Sequence, residues 1–263
     1  MRIAHEAPLC IFDKVQEATD YDYALVHLYE ENPEYLDKFT QAIEKGRHVI
    51  LDNSVFELET AFDSDRFLYW INKTKPSEYI IPDVLEDSYS TLRNLGEWKA
   101  LYEHRVTSGS KSIGVVQGRD YEDIVWCYQH MEPMVDKVAF SFDYSFMCPK
   151  SIDLMLRDYS FSLGRRILLQ DLYRNNVINV MKPHHLLGCF LPQEFTAYKL
   201  YNWVDTIDTS SPVVAGINLE KYRDYGLDRK NKTKVIEYMN DKLTSDQEET
   251  IMYNIEKFRG FCV

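Results

Sequence analysis

The stretch RHVILDNSVFELETAFDSDRFLYWINKTKPSEYIIPD, residues 47–83, outlines one complete strand-helix-strand unit. HVILD (48–52) is a short apolar run that ends on an aspartate, and YIIPD (79–83) repeats the plan. Runs of this length, rich in Val and Ile, read as strands buried on both faces. Between them DSDRFLYWINKT (63–74) has helical spacing, with Asp63 placed to cap the helix three residues before Arg66. Two buried strands joined through a helix imply a parallel pair.

Working outward, the unit recurs. Further apolar runs are ALVHLY (24–29), SIGVVQG (112–118), KVAFSFD (137–143), HLLGC (185–189), VDTID (204–208) and VVAGI (213–217). Helical patterns fall between them. PEYLDKFTQAIEKG (33–46) puts Tyr35, Leu36, Phe39 and Ile43 on one stripe and stops at a glycine. EDSYSTLRNLGEWKALYEH (86–104), DYEDIVWCYQHME (120–132), RRILLQDLYRNNVINVM (165–181) and PQEFTAYKLYNW (192–203) follow, with Asp120 capping ahead of Asp123. Strand-helix alternation repeated this often predicts an α/β fold, a (β/α)8 TIM-like barrel. A doubly wound sheet competes less well, because neither G-x-G-x-x-G nor a Walker A sequence is present. The 263 residues suit a single barrel domain, 1–263. Within it, 219–263 reads as a closing part: a basic loop, RDYGLDRKNKTK (223–234), then an amphipathic helix, DQEETIMYNIEKFRGF (246–261).

Hydrophobic residues make up 45% of the chain, with 19 Tyr and 13 Phe, which favours a packed core with aromatic-lined surfaces over disorder. A net charge of −12 counts against binding nucleic acid through bulk charge but permits a local basic face. Cys10, Cys127, Cys148, Cys189 and Cys262 are scattered with no C-x-x-C, so neither a zinc cluster nor a redox dithiol is expected, and reduced thiols fit a cytoplasmic protein. No leader-like segment or 18-residue apolar run is visible, so no membrane association is expected.

Barrel enzymes build their sites at the carboxyl ends of strands. Asp52, Asp83, Gln117-Gly118, Asp143 and Asp208 end such runs and are expected to share one mouth. Carboxylates gathered there would raise one another's pKa values, which suits acid-base and nucleophilic work. The plainer reading of any single Asp is a cap for the next helix. Arg165 and Arg166, read as opening a helix, and Arg229 and Lys230 in the basic loop are candidates for phosphate contact, with solvated charge as the alternative. His184-His185 reads as a surface pair.

In order along the chain, ILDNSVFEL, YIIPD, IGVVQG and KPHHLLGCFLPQEF…VDTIDTSSP resemble the tRNA-guanine transglycosylase family, over residues 47–216. That family exchanges a base within nucleic acid on a barrel scaffold. The resemblance implies that Asp208 is the nucleophile attacking the sugar C1′ and that Asp52 is the acid and base for the departing and entering bases. It implies that Asp83, Gln117 and Gly118 read the base edge, that Phe56 stacks on the base, and that Ser141, Phe142 and Asp143 touch it. No cofactor or metal is implied for the chemistry.

Departures from the family pattern bear on the substrate. The family's Asp-Ser-Gly-Gly is Asp-Asn-Ser-Val here, Glu57 replaces its Gln, and its zinc-binding cysteines beyond the catalytic Asp are missing. Compact bacteriophage relatives act on DNA, inserting 7-deazaguanine derivatives, and this chain is similar to them. DNA is therefore expected ahead of tRNA, with a 7-deazaguanine-type base as the small partner. Action on free nucleosides and a non-catalytic binding role stay open, as does oligomeric state, a homodimer included.

Overall fold

The structure is a computed structural model describing residues 1–150, 157–231 and 233–263. Its strands are β1 (Arg2–Ala4), β2 (Asp22–Leu25), β3 (Val49–Asp52), β4 (Glu78–Ile80), β5 (Lys111–Val116), β6 (Lys137–Phe140), β7 (His184–Leu186) and β8 (Val204–Asp208). The helices are α1 (Phe12–Glu17), α2 (Val26–Glu31), α3 (Pro33–Glu44), α4 (Val55–Leu58), α5 (Ser64–Thr74), α6 (Ser88–Leu101), α7 (Tyr121–Met131), α8 (Arg157–Arg174), α9 (Ser211–Ile217) and α10 (Ser245–Cys262). The strands form one parallel sheet in the order β1-β8-β7-β6-β5-β4-β3-β2, with helices in the connections. That is the strand order of a (β/α)8, TIM-like barrel. Among the described residues no helix is long and apolar enough to cross a membrane.

The caps read from sequence are made: Asp63 accepts from the Arg66 N–H and Asp120 from the Asp123 N–H. Other expectations need correction. VVAGI is not a strand but the body of α9, which Pro212 opens. The eighth strand is instead Arg2–Ala4, paired with β8 through Ile3 opposite Ile207. ALVHLY is divided, β2 ending at Leu25 and α2 beginning at Val26. The helix assigned to 165–181 begins at Arg157 and ends at Arg174, so Arg165 and Arg166 lie in its middle. PQEFTA (192–197) is a 3-10 turn.

The chain divides into two compact units. One comprises Tyr21–Phe140 and Met181–His185. Its interior holds Val49, Ile50, Leu51, Ile113, Val116 and Val138, all without exposed surface, and a ring cluster of Phe67, Tyr79 and Trp98. His184 and His185 belong to this interior, not to the surface as expected. His184 stacks on Tyr128 and Phe140 with its Nε2 3.0 Å from the Tyr128 hydroxyl.

The other unit comprises Met1–Asp20, Ser141–Val180 and Leu186–Val263. Its apolar centre packs Ile11 and Val15 against Val213, Ile217, Ile251 and Ile255. In the same unit α8 lies so close to the 144–145 backbone that a Cβ on Gly164 would stand 2.2 Å from the Tyr144 carbonyl oxygen. Backbone cannot yield there as a side-chain tip can. Gly164→Ala should therefore cost about 2–3 kcal/mol by overpacking, read as a lowered denaturation midpoint with unchanged slope. Wild-type stability would show that α8 can slide.

Candidate active site

In the first of these units, β3 delivers Asp52 at its carboxyl end. Asp52 Oδ1 accepts the Ser54 N–H at 2.5 Å, and Oδ2 accepts the Tyr23 hydroxyl. The first bond closes an Asx turn, which lets Ser54 take a left-handed conformation (φ 61°) that a serine otherwise seldom adopts. Tyr23 in turn stacks on buried His185, ring centroids 5.8 Å apart. A backbone donor and a phenol donor thus help to hold the carboxylate. Sequence reasoning missed Tyr23; the available signal was a phenol directly ahead of the apolar run ALVHLY, since a buried Tyr needs a partner for its hydroxyl.

Next to it, Asn53 joins the end of β3 to the segment that follows β4. Its Nδ2 donates to the Ile81 carbonyl at 3.0 Å and to Asp83 Oδ1 at 2.8 Å, while its Oδ1 accepts the Val55 N–H at 2.9 Å. Gln117 Nε2 donates to Asp83 Oδ2 at 2.7 Å, and Gln117 Oε1 accepts the Glu86 N–H at 3.0 Å. Asp83, Asn53 and Gln117 are all buried. Burial pushes the Asp83 carboxyl above its ordinary range, while the Asn53 and Gln117 amides oppose the rise by favouring the charged form. So Asp83 and Gln117 are brought together as expected, but with Asn53 between strands as a third member. Each Asp83 oxygen accepts one side-chain amide, and the backbone N–H of Asp83 adds a further donor to the carboxyl.

Gly118 has a packing reason as well: a Cβ there would meet the Ile124 backbone N at 3.1 Å, at the start of α7. Phe56 stands on α4 and is 53% exposed. A cavity of about 370 Å³ is bounded by Asp83, Phe62, Trp98 and Leu101, but its walls include neither Asp52 nor Gln117.

In the second unit, β8 ends at buried Asp208, whose Oδ1 accepts the Gly188 N–H at 3.3 Å. The adjoining Thr209 carbonyl takes a hydrogen bond from His5 Nδ1 at 2.8 Å. Burial pushes His5 down to about 4 despite that carbonyl, so the imidazole is neutral at pH 7 and Nδ1 carries the proton. Phe142 lies beside Phe161 and Phe190, which stack on each other at 4.2 Å. Lys230 Nζ sits 4.8 Å from the Phe142 ring and 4.7 Å from the Phe190 ring. Burial pushes the Lys230 ammonium below its ordinary range, more than Asp158 and Asp143 restore.

Two candidates in this unit sit differently from expectation. Arg165 has no exposed surface and is paired with Glu194 at 2.6 Å, so it is not a phosphate contact. Asp143 is exposed and accepts from the Ser145 N–H and hydroxyl, capping its own turn. Ser141 donates its N–H to the Tyr144 hydroxyl at 3.1 Å. Arg166 is half-buried and Arg229 exposed, whereas Lys232 of the basic run lies outside the described residues.

Among the described residues no group of three His, Cys, Asp or Glu side chains is arranged to hold a metal. No family model and no curated protein matches the chain.

Proposed function

We propose that this protein is a base-exchanging transglycosylase that replaces guanine in nucleic acid, DNA ahead of tRNA, with a 7-deazaguanine derivative. The observation that supports the reading is that Asp208 and Asp52, each within its own unit, end parallel strands and accept oriented donors on their carboxylates. Strand ends of this kind are where barrel enzymes place reacting groups.

The chemistry balances with these two residues. Asp208 attacks C1′ as the C1′–N9 bond breaks, and the departing guanine takes a proton from the Asp52 carboxyl. The glycosyl ester on Asp208 then waits for a second base. Asp52, now a carboxylate, removes the ring N–H proton of the incoming base, whose nitrogen attacks C1′ and releases Asp208. Charge developing on the sugar favours a nearby carboxylate, as in retaining glycoside hydrolysis.

Asp83 and Gln117 would read the base edge through the lone pairs and the amide N–H that their mutual bond leaves over. Phe56, half-exposed on α4, is suited to stack on a base, an interaction of about 1–3 kcal/mol. Lys230, desolvated over two rings, is the strongest of the phosphate-contact candidates.

The net charge of −12 favours one other reading, a transferase or N-glycosidase acting on free nucleosides. Labelled guanine or 7-cyano-7-deazaguanine, incubated with the protein and either DNA or tRNA, separates the two. Label entering DNA supports the proposal. Label in neither polymer, together with free base released from a nucleoside, would replace it by the second reading.

A further inference from the structure

Arg165 is a cation with no exposed surface, which is strongly destabilising unless every donor is matched. Its Nε donates to Glu194 Oε1 at 2.6 Å, and Nη2 donates to the Gly188 carbonyl at 3.0 Å. Nη1 serves two more carbonyls, Leu187 at 2.9 Å and Ser141 at 3.2 Å. Glu194 is itself buried, and its Oε1 also accepts the Tyr198 hydroxyl at 2.5 Å. Gly164, the residue before Arg165, permits the close approach of α8 that brings the guanidinium in.

The carbonyl of Leu187 and the N–H of Gly188 belong to one peptide plane. In a trans peptide they point in opposite directions, so fixing one aims the other. Arg165 holds the carbonyl, and the N–H meets Asp208 Oδ1 at 3.3 Å. Gly188, at φ +64°, supplies the left-handed turn that a side chain would resist. The Gly188 carbonyl, in the next peptide, is gripped by the same guanidinium.

We infer that Arg165, oriented by Glu194, is a positioning residue that aims the Leu187–Gly188 peptide at Asp208. The inference rests on the proposed role of Asp208 as nucleophile. An N–H fixed on Oδ1 sets the carboxylate rotamer. When the ester breaks, the same N–H stabilises the carboxylate that leaves. Stability alone gives little reason for such an ion pair, because apolar residues fill comparable sites at no loss. Three carbonyls and a carboxylate on one planar fork are what a lysine cannot serve.

Arg165→Lys keeps the charge and loses the fork, and Glu194→Gln keeps an acceptor and loses the charge. In each folded variant, amide hydrogen exchange at Gly188 should rise about tenfold or more, while the Ile113–Val116 amides of β5 keep wild-type protection. Base exchange should slow about 10- to 100-fold in kcat, as small misplacements of a reacting group do, with KM for the polymer nearly unchanged. Unchanged exchange at Gly188 in a folded variant overturns the inference whatever the activity. A lowered melting temperature with wild-type kcat also overturns it, leaving an ordinary structural ion pair. A wild-type protein that exchanges no base sinks the proposed function instead, and Gly188 exchange then decides the positioning on its own. Should Arg165→Lys not fold, Glu194→Gln is read by the same two measurements.

Discussion

Asp208→Asn is expected to abolish a denaturant-stable adduct between protein and nucleic acid and to cut base exchange by about 10³-fold or more. The amide is nearly isosteric, and its oxygen can still accept the Gly188 N–H that now meets Oδ1. Folding should therefore survive, with the melting temperature within about 2 °C of wild type. What disappears is the electron pair proposed to attack C1′, because an amide oxygen is a far weaker nucleophile than a carboxylate.

Asp52→Asn makes the informative contrast. It removes the proposed proton donor for the departing base, an expected effect of about 10²- to 10⁴-fold. A substrate carrying 7-methylguanine departs as a neutral base without being protonated. That substrate should restore adduct formation in Asp52→Asn and leave Asp208→Asn inert. An adduct that persists in Asp208→Asn would remove the nucleophile from the proposal. Rescue of neither variant would remove the division of labour between the two carboxylates.

The alternation of buried strands and capped helices was legible because each piece is local. VDTID is a strand over its whole length, and Asp63 and Asp120 cap the helices they precede. VVAGI was misread because a five-residue apolar run does not distinguish a buried strand from a buried helix. Pro212, which favours the first turn of a helix, was the better guide. Arg2–Ala4 is too short to show a period, and its partner strand, Val204–Asp208, lies at the far end of the sequence from it.

For the candidate site, the strand-end places of Asp52 and Asp208 were legible and the partners of these carboxylates were not. Asn53 stood out only as a departure from a motif, since its contacts with Ile81 and Asp83 are long-range. His184 and His185 looked like a surface pair because they are polar, yet in a strand covered on both faces neither alternate position looks outward. Arg165 looked like one of a basic pair. Ser160, Ser162 and Gly164, three small residues leading up to it and all buried, marked a helix in close contact with its neighbours.

Glu78→Gln should remove about 3 kcal/mol of stability at neutral pH, and removing it should flatten the acid limb of the stability curve. Glu78 opens β4 and Lys137 opens β6; their side chains meet at 2.7 Å, with His48 Nε2 3.1 Å from the same carboxylate oxygen. Both residues of the ion pair are buried. Burial alone would raise the Glu78 carboxyl, but the His48 hydrogen bond and the charge and hydrogen bond of Lys137 outweigh it and hold the group at about 2, from an ordinary 4.5.

A depressed folded pKa stabilises above the unfolded value and loses that stabilisation as pH falls through the folded one. The contribution is thus complete above about 5 and gone below about 2, with a full size near 3 kcal/mol. Wild type should lose it across that window in urea titrations at successive pH values, whereas Glu78→Gln should have little left to lose there. Breaking one side of a buried pair strands the other, which is why the loss should be large. Replacing both, as Glu78→Leu with Lys137→Met, should return much of it, because neither charge then remains to be desolvated. These groups sit at the amino ends of their strands, where barrels concentrate stability and not chemistry. Base exchange per folded molecule should therefore be unchanged in Glu78→Gln. Parallel stability curves for wild type and Glu78→Gln between pH 5 and 2 would mean that the carboxylate is not what the Lys137 ammonium leans on.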